Sequence, residues 1–222
     1  MLGLPDSTVR EKRLDKSEFF AHFGMKGRER AQLDAEVSRM YFAAHVSPDT
    51  VPAWPKEGRG IWVLRLLLKR REVSDATIAL LAANIKQRLV FVGEFGDEVK
   101  LAVRWRRLSS TEWLRADEAK VTLRRNVEET WLGIIADIAG LKPGREDELE
   151  AQSAEREQRE RTLAEIARLE KACARERQMR RRHEIFNQIQ QLKNTLKDKD
   201  KDNEHKGGEG QAAEDGDKGC YG

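Results

Sequence analysis

The stretch Ile61-Trp62-Val63-Leu64-Arg65-Leu66-Leu67-Leu68-Lys69 decides the fold class, because it is apolar at almost every position. A strand that is covered on both of its faces has this composition. Ser74-Asp75 then supplies the N-terminal cap of a helix that runs from Ala76 to about Ile85. Leu89–Glu94 is a second apolar run of strand length. The sequence therefore predicts a strand, helix, strand crossover.

A hairpin is predicted directly after this crossover. Gly96-Asp97 turns the chain into Val99–Arg106, in which apolar and polar residues alternate. This alternation predicts a sheet with one buried face and one solvent-exposed face. A shorter alternation predicts another strand at Lys120–Arg124, and Val127–Leu141 reads as a helix that packs on the sheet. The predicted fold class is α+β, with a small, mainly antiparallel sheet flanked by helices.

Two helices are predicted before the sheet. Asp15–Gly24 carries cap-type residues ahead of apolar ones and ends in glycine, which is typical of a short capped helix. In Gly27–Val46, apolar residues recur at steps of three and four, and Pro48 follows. This spacing predicts a second, longer helix.

The C-terminal third of the chain is a charged helical pattern without proline or glycine from Glu146 to Lys197. Charged residues at Arg175–His183 interrupt the pattern between two apolar lines. Those lines are Leu163, Ile166, Leu169 and Cys173, and then Ile185, Ile189, Leu192 and Leu196. The second line has the 4, 3, 4 spacing of a coiled-coil seam, and a helix with so narrow a seam needs a partner. We therefore predict that Ile185, Ile189, Leu192 and Leu196 bind a partner.

The predicted organisation is an α+β domain over residues 1–144, an extended, coiled-coil-like helix over 145–197, and a disordered acidic, glycine-rich tail over 198–222. The tail has almost nothing to bury, and ordering a residue costs about 1 to 2 kcal/mol. The formal net charge is only +3, yet basic residues prevail up to Arg145 and acidic residues prevail from Asp198. There is no apolar run of membrane-spanning length and no signal-peptide pattern, so we expect a cytoplasmic protein without membrane contact.

A basic sheet surface is the predicted nucleic-acid site. If Val99–Arg106 buries its apolar set, the opposite face carries Lys100, Arg104 and Arg106. Lys120 and Arg124 extend this face if their segment joins the same sheet. Such cations neutralise phosphate groups and give affinity for nucleic acid with little recognition of its sequence. An ordinary solvent-exposed sheet face has the same composition, so that alternative stays open. The Arg175–His183 cluster also has two interpretations. It binds nucleic acid or an acidic partner surface, or it is a solvent-exposed interruption of the coiled coil.

Catalysis has one sequence candidate. Glu98 and Lys100 have the carboxylate, spacer, lysine order of metal-dependent nucleases, and Glu94 and Asp97 are near in sequence. A hairpin turn is the better account of these residues. The four histidines and two cysteines have no zinc-ligand spacing, and phosphate-loop and dinucleotide motifs are absent from the sequence. We therefore predict no catalytic residue, no metal site and no cofactor.

The opening Leu4-Pro5-Asp6-Ser7-Thr8, then Lys12-Arg13-Leu14 and Lys16-Ser17-Glu18-Phe19-Phe20, resembles the bacterial and archaeal family called domain of unknown function 4391. The resemblance extends to roughly Leu196 and implies no established activity and no site residues. It also implies that the protein, like other members of the family, lies beside helicase and methyltransferase components of restriction-type or anti-phage systems.

The functional hypothesis is a non-enzymatic adaptor or accessory subunit of such a defence system. It would bind a protein, or a second copy of itself, through the C-terminal helix, and DNA or RNA through the basic sheet face. The alternative is a metal-dependent nuclease, or another enzyme, that uses the acidic and lysine residues near the central hairpin.

Overall fold

The computed structural model describes the backbone of residues 2–208 and the side chains of residues 2–198. Its strands are β1 Val9–Leu14, β2 Val37–Val46, β3 Ile61–Leu68, β4 Arg88–Phe95, β5 Glu98–Arg104, β6 Leu108–Ser110 and β7 Leu114–Arg115. Its helices are α1 Lys16–His22, α2 Arg28–Glu36, α3 Asp75–Asn84, α4 Val127–Ala139, α5 Glu146–Arg175 and α6 Met179–Gly208. The chain divides into two compact units, which we call the body, up to Gln152, and the arm, from Ser153.

The body contains one sheet with the strand order β1-β2-β3-β4-β5-β6, and β7 also pairs with β5. Only β3 and β4 are parallel, because α3 forms the crossover between them. The other neighbouring strands pair antiparallel. The predicted α+β class, with a mainly antiparallel sheet flanked by helices, is confirmed.

Both faces of the sheet are covered. The first core lies between one face and α4, and its buried residues include Ile61, Val63, Val92 and Ile135. The second core lies between the other face and helices α1 to α3, and it includes Leu64, Leu66, Phe19, Leu33 and Leu81. The apolar run in β3 supplies both cores, which is why it lacks polar alternation.

Local signals position the helices that were predicted correctly. The side chains of Asp15, Ser74 and Asn126 accept backbone N–H groups at the starts of α1, α3 and α4. These bonds satisfy amide donors that have no partner within the helix. Gly140 ends α4 with a φ of 63°, a left-handed conformation that glycine adopts without a steric penalty.

The predicted helix over Gly27–Val46 is wrong in its second half. Helix α2 ends at Glu36, and Val37–Val46 is strand β2. The register of β2 against β3 shifts between Val37 and Arg39 and again between Phe42 and Ala44. Each irregularity breaks the two-residue alternation, so the buried positions acquire steps that resemble those of a helix.

Two further strand assignments differ from the prediction. Val9–Leu14 is edge strand β1, whose residues are exposed except for half-buried Leu14, so it has no apolar pattern. Lys120–Arg124 is not a strand, and Val121 donates one backbone hydrogen bond to the carbonyl oxygen of Leu2. It therefore does not extend the sheet.

A buried carboxylate joins α2 to α3. Glu36 accepts a hydrogen bond from the backbone N–H of Ser74 at 2.9 Å. Burial by itself raises the pKa of Glu36, but hydrogen bonds from Ser74 and Thr77 and the charge of Arg70 outweigh it, so the pKa is lower than usual. The folded body therefore holds Glu36 as a carboxylate.

The arm is a pair of helices. Helix α5 ends at Arg175 and α6 begins at Met179, within the segment where the sequence predicts an interruption. The Lys193 Nζ atom lies 2.7 Å from Glu170 Oε1, and the Cys173 thiol lies 3.7 Å from the carbonyl oxygen of Arg182. These contacts show α6 running back along α5 as an antiparallel hairpin. The backbone of α6 continues past Asp198 to Gly208, and the rest of the predicted tail, 209–222, lies outside the described residues.

Among the helices of the described residues, none combines the length and the apolar composition that a membrane span requires.

Candidate functional site

The predicted basic sheet face does not form as one surface. Ala102 is buried in the second core, so the face of β5 that was expected to be wet is covered. Lys100 is half-buried on this covered face. Arg104 is exposed at the end of β5 and donates a hydrogen bond to the carbonyl oxygen of Ala79 in α3, at 3.0 Å. Helix α3 thus covers this face of β5.

The other three predicted nucleic-acid residues lie elsewhere. Arg106 follows the end of β5 and forms an ion pair with Glu150. Lys120 and Arg124 belong to the irregular segment before α4. The Arg124 side chain packs against Gly133, where a Cβ atom would lie 2.2 Å from Arg124 Nε. That Nε atom is buried without a hydrogen-bond partner in the described structure.

The acidic residues of the alternative, enzymatic hypothesis do not converge. Glu94 pairs with Val99, which lies on the first-core face, whereas Glu98 follows on the opposite face of the sheet. Both Glu98 oxygens accept hydrogen bonds from Arg71, at 2.6 and 3.0 Å, and these bonds lower the pKa of Glu98. Within residues 2–198, no group of three or more His, Cys, Asp or Glu side chains has the geometry of a metal site.

The predicted partner-binding line lies partly inside the arm. Ile189 is buried in the hairpin, as is Ile166 of α5. Ile185, Leu192 and Leu196 are half-buried. Because the helices are antiparallel, the apolar line of α6 faces the apolar line of α5, and the seam that the sequence left without a partner is partly covered by the same chain.

Other apolar side chains of the arm remain in solvent. Leu163 and Phe186 are each 49% exposed, and Met179 is more exposed still. At 3.6 residues per turn, Leu163 and Phe186 fall on the flank of the hairpin that the Glu170–Lys193 ion pair crosses, one on either side of that pair and each about 10 Å from it along the helices. Around them the arm is strongly charged, with surface ion pairs such as Arg180–Glu184. Leu163 and Phe186 are therefore two separate large apolar side chains along one flank of the arm.

The body also has a cleft that the sequence did not reveal. It lies where β3 and β4 begin and β5 ends, and its cavity volume is about 490 Å³. Ten residues line it: Arg59, Lys86, Gln87, Arg88, Arg104, Trp105, Glu128, Trp131, Leu132 and Glu146. Of these, only Arg104 was among the predicted site residues. The cations that line it belong to segments that are distant in sequence and meet only in the folded body.

Residues 2–196 match the family model described as domain of unknown function (DUF4391). The chain belongs to this family. No curated protein and no solved structure matches it. The description of the family assigns it no activity.

The opening residues that carry the family resemblance serve the fold. The Ser7 hydroxyl donates to the carbonyl oxygen of Thr50 at 2.6 Å, which fixes the start of the chain beside the end of β2. Lys16 forms a 2.8 Å ion pair with Asp34 of α2. Phe19 and Phe20 are buried in the second core. These contacts explain the opening as a structural element that covers one side of the sheet.

Proposed function

We propose that the protein is a non-enzymatic adaptor whose helical arm binds a partner protein. The observation that carries this proposal is the exposure of Leu163 and Phe186 on one flank of a hairpin that is otherwise highly charged. An amphipathic helical surface with a few large apolar anchors is a common way for helices to be recognised in a groove. Burying one such side chain is worth about 1.5 to 3 kcal/mol.

The arm gains from a partner because two helices enclose little apolar surface. Among the described arm residues, only Ile166 and Ile189 are buried. The surface ion pairs along α5, such as Arg156–Glu160 and Glu157–Arg161, contribute about 0.3 to 0.5 kcal/mol each. A third helix or a groove against the exposed flank would complete the apolar layer that the hairpin begins.

The defence-system role implied by the resemblance belongs to this proposal. Helicase or methyltransferase components of restriction-type or anti-phage systems are the first partners to test, and a second copy of this chain is another.

The test is a capture experiment with the full chain from a lysate of the native host, with bound proteins identified by mass. Leu163→Asp plus Phe186→Asp should abolish the capture of a specific protein and leave the helical circular dichroism unchanged. The matched control is Ala172→Asp plus Gln188→Asp, which adds the same charges at exposed positions on the opposite flank of the same two helices.

Light scattering on the same samples shows whether the partner is a second copy, because the molar mass would then fall in the first variant alone. Retention of every partner and of the molar mass by Leu163→Asp plus Phe186→Asp would refute the adaptor proposal.

A further inference from the structure

The geometry points to a second binding site in the body: the cleft binds a nucleotide unit, a phosphate group together with its base. This inference goes beyond the adaptor proposal, because the cleft lies wholly within residues that precede the arm. A volume of about 490 Å³ lies within the range of small-molecule sites, which is about 300 to 1,000 Å³.

The lining of the cleft is rich in charged side chains. Four cations line it, against the two carboxylates of Glu128 and Glu146. Arg88 is already neutralised, since both of its terminal nitrogens donate to Glu128, at 2.8 and 2.7 Å. Three cations remain, namely Arg59, Lys86 and Arg104. The other carboxylate that lines the cleft is that of Glu146. The cleft therefore has an excess of positive charge that an anionic ligand would balance.

The cleft also contains hydrogen-bond donors that the protein itself does not use up. Arg59 donates once, to the carbonyl oxygen of Lys86 at 3.3 Å, and Arg104 donates once, to Ala79. A guanidinium carries five N–H groups, so both side chains retain donors for oxygen atoms of a ligand. Lys86 is exposed and forms no ion pair with the side chains of residues 2–198. Phosphate oxygens are the acceptors that such donors bind best.

Trp105 and Trp131 form an aromatic wall of the cleft. Trp105 is half-buried and Trp131 is only 6% exposed, and both line the cleft. The guanidinium of Arg88 lies 5.7 Å from the Trp131 ring centre. The half-buried ring of Trp105 offers a surface on which a base can stack.

These features together favour a nucleotide over a simple anion. Inorganic phosphate would use the cations and leave the aromatic wall without a contact. A peptide of acidic residues alone would pair with the cations but would bring no aromatic ring to the tryptophans. A free nucleotide and a nucleotide within a single strand share both features, so the experiment has to separate these two sources.

Binding is measured with the full chain against four probes: inorganic phosphate, ATP, a labelled single-stranded oligonucleotide and the same oligonucleotide as a duplex. Calorimetry is used for the small molecules and fluorescence anisotropy for the oligonucleotides, at two salt concentrations. We expect ATP or the single strand to bind more tightly than phosphate and the duplex, and the affinity to fall with salt.

The test variant is Arg59→Glu plus Arg104→Glu, which should weaken binding by on the order of 10-fold or more. The matched control is Arg28→Glu plus Arg39→Glu, which makes the same charge change at exposed positions that do not line the cleft. Thermal unfolding confirms that both variants are folded. Trp105→Phe keeps the cleft filled and should reduce the quenching of tryptophan emission by the ligand.

Equal weakening by the two double variants would show that binding follows net charge alone, and would overturn the proposal. Absence of binding by ATP and by the single strand would overturn it as well. Neither result affects the adaptor proposal, whose variants lie in the arm.

Discussion

Replacing the buried carboxylate of Glu36 tests how the sequence joins α2 to α3. In Glu36→Ala the backbone N–H of Ser74 loses an acceptor at 2.9 Å, and the Ser74 and Thr77 hydroxyls lose their charged partner. A hydrogen bond to a charged group contributes about 1.5 to 3 kcal/mol, and a buried donor without a partner costs about 1 to 3 kcal/mol. We therefore expect the free energy of unfolding of the body to fall by about 2 to 4 kcal/mol. Glu36→Gln keeps an uncharged acceptor and should cost less.

The pH dependence of this effect has a definite sign. The folded-state pKa of Glu36 is below the ordinary value of 4.5, so the unfolded chain takes up a proton first as the pH falls. The carboxylate's contribution is therefore present in full above about pH 5 and is lost as the pH falls through the folded-state pKa. The difference between the wild type and Glu36→Gln should shrink on acidification below 4.5.

Urea unfolding followed by tryptophan fluorescence measures this prediction, since all five tryptophans of the chain lie in the body. Glu112→Gln is the matched control, because Glu112 is exposed. A Glu36→Ala stability equal to that of the control at neutral pH would refute the reasoning. So would a stability difference between the wild type and Glu36→Gln that grows on acidification.

Three further predictions concern single side chains. Trp54→Phe removes the 2.8 Å hydrogen bond from the indole N–H to the carbonyl oxygen of Arg124. This change should lower the free energy of unfolding by about 1 kcal/mol in the same urea assay. An unchanged urea midpoint would contradict this prediction. Burial, and then the charge of Arg10, lower the pKa of His45 below 6.5, so the unfolded state binds the proton first and stability should decline as the pH falls below that value. His45→Phe should flatten that decline, and an identical pH profile would count against it. Ile189→Ala should reduce the stability of the arm by about 2 to 4 kcal/mol, because Ile189 is buried in the hairpin. The measurement is thermal melting, in which the helical circular dichroism should be lost at a lower temperature. An unaltered melting curve would show that packing between α5 and α6 does not stabilise the arm.

The parts of the body that were predicted correctly depend on local signals. The apolar run of β3, the Ser74 cap of α3 and the turn at Gly96 each involve only a few consecutive residues. Such signals do not depend on contacts between distant residues, so they can be recognised in the sequence alone. The crossover and the hairpin after it could therefore be assigned from the sequence.

Strands β1 and β2 could not be assigned in the same way. Most residues of β1 are exposed, and it is a strand because it pairs with β2 at the edge of the sheet. The apolar spacing of β2 resembles that of a helix because the strand contains two irregularities. In both cases the pairing partner, which is distant in sequence, decides the local structure.

The basic face shows how a correct alternation can lead to a wrong site. Val99, Leu101 and Val103 are buried in the first core as predicted. The opposite face of β5 was expected to be wet, but α3 covers it at Ala102. Alternation reports the two faces of a strand and not what packs on each of them.

The sequence by itself determined the α+β class, the central crossover and the change from a mixed body to a charged helical region, because composition, caps and periodicity are properties of neighbouring residues. Only the tertiary structure decided that α6 turns back to cover the apolar line of α5. It also brought Arg59, Arg88, Arg104 and Trp131 around one cleft. Those residues belong to four separate segments, and they meet because the parallel pairing of β3 with β4 places the starts of both strands beside the end of β5.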